Sequence, residues 1–198
     1  MGGAGGSSAA AAGSGGASGA AGQGGAAGMA PTSCPVAPEP AALPTVMATF
    51  LFEDPAMGIT IPKATGGDPT GTWTISKSTV FLPDVGKGIV DTTMSTSAVT
   101  GFFAFEGTTY RSHFHSVTHL VTSLLGNIDS TSDTQSTGTY TTLEMLIGVT
   151  PKCLVTAGDG TTDSNIAYSV VGDTLTTITT LTTSQGNSIL VTESTRVK

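Results

Sequence analysis

From residue 45 onward the chain repeats one pattern: short runs of β-branched and aromatic residues, broken by Gly, Asp, Asn and Ser. That spacing is the one expected of an all-β sandwich or barrel. Strands are predicted at 47–52, 71–80, 89–94, 98–106, 108–115, 138–149, 153–156, 165–171, 174–183 and 188–197. Glu106-Gly107, Gly172-Asp173 and Gln185-Gly186-Asn187 supply tight turns between successive strands, which implies an antiparallel meander. Within 138–149, Leu143, Met145, Ile147 and Val149 alternate with Tyr140, Thr142 and Glu144, the period of a strand with one buried face. A meander of about eight strands has two edges to hide, and closure into a barrel hides both. A two-sheet sandwich is the competing architecture.

One segment departs from this period. Val117, Leu120, Val121, Leu124 and Leu125 recur at helical spacing, with Ser116 in position to cap the start and Gly126 just past the end. A short helix is therefore expected, with a strand continuing from 108 to 124 as the alternative. The polar stretch 127–136 reads as a loop.

The first 44 residues have no such pattern. Residues 1–28 are almost wholly Gly, Ala and Ser, with no large apolar side chain to offset the entropy of ordering. Residues 29–44 carry Pro31, Pro35, Pro38, Pro40 and Pro44, the composition of a stiffer spacer. The expected organisation is a disordered linker over 1–44 and one β-domain over 45–198, large enough for a single core.

Charge narrows the partners. The net charge is −7 with no basic run, so the electrostatic footprint of nucleic-acid binding is missing. No apolar stretch is long enough to cross a membrane as a helix. Only 11% of residues are charged, and Thr and Ser occupy strand positions where a cytosolic protein usually places Lys and Glu. This leans toward export. The opening is similar to the linker that follows the lipidated cysteine of bacterial lipoproteins, with Met1 standing where that cysteine would be. The resemblance implies a periplasmic or cell-surface location, with a lipid anchor on the native precursor. A leaderless cytoplasmic protein with a disordered tail is the other reading. Cys34 and Cys153 fit one disulfide pinning the spacer to the domain, or two free thiols.

Two places carry a family resemblance. Thr70-Gly71-Thr72-Trp73 opens the first clear strand, and Thr195-Arg196-Val197-Lys198 closes the last. The pair resembles lipocalins, in which a Gly-x-Trp begins the first barrel strand and an Arg near the barrel's end packs across the indole. The stretches Gly138-Thr139-Tyr140 and Tyr168 to Leu175 are similar to later hairpins of bacterial lipocalin-like domains, although the Thr-Asp-Tyr-type turn of many lipocalins has no counterpart. The resemblance implies a lipocalin-like barrel that accepts a small apolar molecule, with Phe102, Phe114 and Tyr140 as candidate ligand-binding residues.

The sharpest chemical signal is a histidine cluster, His113, His115 and His119. On a strand, His113 and His115 lie on one side roughly 6.6 Å apart, a separation from which two imidazoles can share a metal ion. If a helix begins near Ser116, His119 can join them as a third ligand. If the strand continues, His119 lies about 13 Å past His115 and cannot. Three imidazoles would suit zinc, whose bound hydroxide could hydrolyse ester-type substrates, with Glu144 or Glu106 as the carboxylate that accepts a proton. Haem ligation by one histidine, or a solvated polar strand edge, are the other readings. No phosphate-binding glycine loop, GxSxG elbow or EF-hand loop is present in the sequence.

Overall fold

The computed structural model describes residue 34, residue 40 and residues 42–124, 126–158, 165–183 and 186–198. The chain divides into two units, Met1–Ala30 and Pro31–Lys198, and every described residue belongs to the second. The linker expected over 1–44 therefore lies almost entirely outside the described residues.

The second unit is all-β. Its strands are β1 (Val46–Met47), β2 (Thr49–Phe52), β3 (Gly71–Leu82), β4 (Val90–Glu106), β5 (Thr109–Thr122), β6 (Gly126–Leu143), β7 (Leu146–Gly158), β8 (Asn165–Val171), β9 (Thr174–Thr183) and β10 (Gly186–Arg196). Each strand from β3 to β10 pairs antiparallel with the next, and β10 returns to β3, so eight strands form a closed ring. Closure pairs every one of the eight strands on both sides near one end, although β7 pairs with β8 only over Leu146–Gly148.

β3 and β4 pair only near one end of the ring, from Gly71↔Phe105 to Thr74↔Phe102. Farther along, the two strands part and the chain's own residues 46–52 sit between them. β1 runs antiparallel to β4 through Val46↔Val99, and β2 runs parallel to β3 through Thr49↔Thr79 to Phe52↔Leu82. One end of the ring is thus narrow and the other is widened by an inserted strand.

The narrow end is floored by the main core. Trp73, Phe103, Phe105, Tyr110, Tyr140, Ile147, Ile166, Tyr168 and Leu175 are all buried together there. Phe105 and Tyr140 meet edge to face with centroids 4.9 Å apart, a favoured aromatic geometry. Trp73 is fully buried and its indole N–H donates to the Pro69 carbonyl at 2.7 Å, which satisfies its one polar atom. The Arg196 guanidinium lies 4.1 Å from the centre of the Trp73 ring. Arg196 also donates to the Thr70 carbonyl and faces the Asp173 carboxylate at 3.7 Å. The expected packing of the Arg across the indole is therefore present.

Gly71 has a physical reason to be glycine. Its φ is +127°, and a Cβ built there would stand 2.5 Å from Arg196 Nη1. Gly71→Ala is expected to lower the stability of the domain by about 1–3 kcal/mol, through backbone strain and displacement of the Arg. A drop in the urea midpoint with unchanged slope checks it.

Cys34 and Cys153 form a disulfide with their Cα atoms 5.7 Å apart, fixing residue 34 to β7. Val46 pairs with β4, so the two ends of the stretch between them are held on different strands.

Several elements differ from the sequence expectations. The segment expected as a helix from Ser116 is, up to Thr122, the second half of β5, paired to β6 throughout and to β4 across a register shift, and the polar loop expected at 127–136 is the first half of β6. The strand expected over 138–149 is a hairpin: Glu144, with φ 52°, turns the chain between β6 and β7. As a result Leu143 and Met145 are exposed, whereas Ile147 is fully buried. The strands expected at 89–94 and 98–106 are one strand, with an irregularity between Asp91 and Thr96. The β9–β10 connection, expected as the turn Gln185-Gly186-Asn187, begins outside the described residues.

Candidate ligand-binding lumen

Strand parity decides which side chains see the interior. On β5 the even positions Tyr110, Ser112, Phe114, Ser116, Thr118 and Leu120 face inward. On β6 the inward set is Ser130, Ser132, Thr134 and Ser136. Above the aromatic floor these and the other walls enclose a cavity of about 620 Å³. That is the size of a small-molecule pocket. Among the described residues that line it, none is charged.

The floor of the cavity is aromatic. Phe103 and Phe114 meet edge to face at 4.6 Å, and Phe105 lies 5.8 Å from Phe103. Gly101 stands opposite Phe114 in the β4–β5 ladder, and an added Cβ would lie 2.6 Å from Phe114 Cδ1. The missing side chain is what lets the Phe114 ring settle into the lumen. Beside it, Tyr110 Oη and Ser136 Oγ are hydrogen-bonded at 2.5 Å, and burial pushes the Tyr110 phenol above its usual pKa despite that bond. The phenol is a neutral part of the wall.

The candidate ligand-binding residues are divided by this geometry. Phe114 lines the cavity. Tyr140 belongs to the core cluster beneath it. Phe102 is paired with His113 and points to the outer face of β4, where it is 1% exposed; Phe103 and Phe105 are the β4 rings that line the lumen.

The histidines lie at odd positions of β5 and therefore on its outer face. His113 Nε2 is 3.2 Å and His115 Nδ1 3.4 Å from Asp133 Oδ2, so these two rings share one carboxylate oxygen. His119 Nδ1 contacts Asp129 Oδ1 at 2.6 Å. Because β5 runs on as a strand, His119 is displaced about 13 Å along it from His115. The three imidazoles do not meet at one point. Among the described residues, no group of three or more His, Cys, Asp or Glu is placed to hold a metal ion.

Glu106 sits exposed at the end of β4 with Arg111 Nη2 3.5 Å away, and Glu144 is exposed in the β6–β7 turn. The carboxylates seen against the histidine rings are others. The carboxylates that take that place, Asp133 and Asp129, come from the stretch read as a loop. Their alternation with Ser130, Ser132 and Thr134 was the available strand signal, unaccompanied by apolar residues because the surface they face is hydroxyl-lined.

The fold and site together define an all-β ring enclosing an uncharged cavity. Set against protein-family models, curated proteins and solved structures, the chain finds no match.

Proposed function

We propose that this domain is an exported, periplasmic or surface-tethered lipocalin-like module that binds a small, largely apolar molecule in its lumen. The observation that carries the reading is the cavity of about 620 Å³, walled by uncharged side chains over an aromatic floor. Water held against Phe103, Phe105 and Phe114 gains by being displaced, so apolar surface entering the cavity binds favourably. The disulfide fits the oxidising compartment implied by export, as does a hydroxyl-rich, charge-poor surface.

The test is a fluorescence titration with N-phenyl-1-naphthylamine, an uncharged apolar probe. Saturable binding is expected. Ser132→Phe, which puts a ring into the lumen, weakens it by at least about ten-fold, the equivalent of 1.4 kcal/mol. Thr131→Phe, one residue away on the outer face, leaves it unchanged. Equal binding by both variants would place the probe on the surface and sink the reading.

A further inference from the structure

The walls of the lumen are chemically unequal. Some lining hydroxyls satisfy one another: Thr177 Oγ1 and Thr192 Oγ1 at 2.5 Å between β9 and β10, Ser97 Oγ and Thr118 Oγ1 at 2.7 Å between β4 and β5, and Tyr110 Oη and Ser136 Oγ at 2.5 Å at the floor end of the β5–β6 wall. Such pairs cancel locally and present a nearly apolar surface. Val80, Leu82, Val99 and Leu190 are apolar lining on β3, β4 and β10, while Ser78 Oγ on β3 is buried without a hydrogen-bond partner among the described residues.

Apart from Tyr110, Thr118 and Ser136, the β5–β6 wall carries a run of unpaired hydroxyls. Ser112, Ser116, Ser130, Ser132 and Thr134 face the cavity, and among the described residues their hydroxyls have no protein hydrogen-bond partner. The ladder sets them close together, with Ser116 opposite Ser132 and Phe114 opposite Thr134. Neighbouring positions across an antiparallel pair are about 4.5–5.5 Å apart, and inward positions along one strand roughly 6.6 Å apart. The result is a stripe of free donors and acceptors that begins beside the aromatic floor and runs toward the wide end.

Resting on the lumen reading above, we propose that the ligand is an uncharged amphiphile, with an aromatic or alicyclic body that seats on Phe103 and Phe114 and several hydroxyl or carbonyl groups along one edge that bond the β5–β6 stripe. Each alternative class meets a physical objection. A plain hydrocarbon would strip water from the stripe and leave its hydroxyls unsatisfied, the costly half of a hydrogen-bond exchange. A carboxylate or ammonium would be desolvated in a cavity whose described lining offers no counter-charge. An aromatic glycoside meets both surfaces, since its ring covers the floor and its hydroxyls replace the water on the stripe.

The full chain is titrated with 4-methylumbelliferyl glucoside, N-phenyl-1-naphthylamine and laurate. The glucoside is expected to bind, and more tightly than laurate. Removing hydroxyls with Ser116→Ala/Ser132→Ala, or with Thr134→Val, is expected to weaken glucoside binding by about ten-fold or more while naphthylamine binding is kept or strengthened. Retained naphthylamine binding also shows that each variant is folded. If naphthylamine binds but the glucoside does not, or if laurate binds better, the ligand class is overturned and the lumen reading stands. Glucoside binding indifferent to both variants overturns the class as well. If neither uncharged probe binds, the lumen reading itself fails.

Discussion

Trp73→Ala is expected to lower the stability of the domain by about 3–5 kcal/mol, a fall in Tm of roughly 10 °C. The indole is fully buried at the floor of the ring and belongs to the core cluster of apolar side chains there. Truncation leaves a void that the surrounding strands cannot close, because their hydrogen-bonded ladders fix the ring's width. It also removes the donor to Pro69 and the surface beneath Arg196. Arg196→Ala is expected to cost less, about 1–2 kcal/mol, since its side chain is 31% exposed and part of its bonding is replaced by water. The double variant should cost less than the sum of the two, because most of what the Arg contributes is made on the indole. Chemical denaturation of the four proteins measures that coupling.

Removing the disulfide is the second large effect. Cys34 and Cys153 are 119 residues apart in sequence, so the bond closes a long loop and removes many conformations from the unfolded chain. Loops of this order correspond to about 4–5 kcal/mol in the chain-entropy account, and native disulfides typically contribute about 2–5 kcal/mol. Cys34→Ala/Cys153→Ala is expected to fall in that range, and reduction of the native protein should match it. Urea denaturation with and without reductant reads the difference. No change on reduction would mean that residue 34 gains nothing from being held on β7.

What was legible in the sequence follows from where side chains face. The strands at 165–171 and 174–183 were readable to the residue, because Gly172 and Asp173 turn the chain between two runs rich in β-branched residues. The pairing of Trp73 with Arg196 came with the resemblance to lipocalins and not from residue periodicity; in the structure the two stand opposite each other in the β10–β3 ladder. The second half of β5 was hidden by coincidence. Val117, Leu120 and Val121 fall at helical spacing, yet Leu120 lines the lumen and Val117 is exposed on the outside. The first half of β6 was hidden by its chemistry, since Ser130, Ser132 and Thr134 face a cavity rather than a packed core and leave no apolar alternation. The hairpin within 138–149 was hidden by phase. A two-residue turn keeps the odd positions in step, so Leu143 and Met145 appeared to continue into Ile147 and Val149. The histidine cluster was visible, but its direction depended on whether β5 continued past Ser116, and the continuation puts all three rings outside.

The most direct test of the central claim uses Trp73, the only tryptophan, as a reporter at the floor of the cavity. Protein titrated with N-phenyl-1-naphthylamine and excited in the tryptophan band should show sensitised probe emission that saturates at one probe per chain. The same signal should be lost in Ser132→Phe and kept in Thr131→Phe. Sensitised emission indifferent to the ring placed in the lumen, or probe binding that never saturates, would contradict a binding cavity inside the ring.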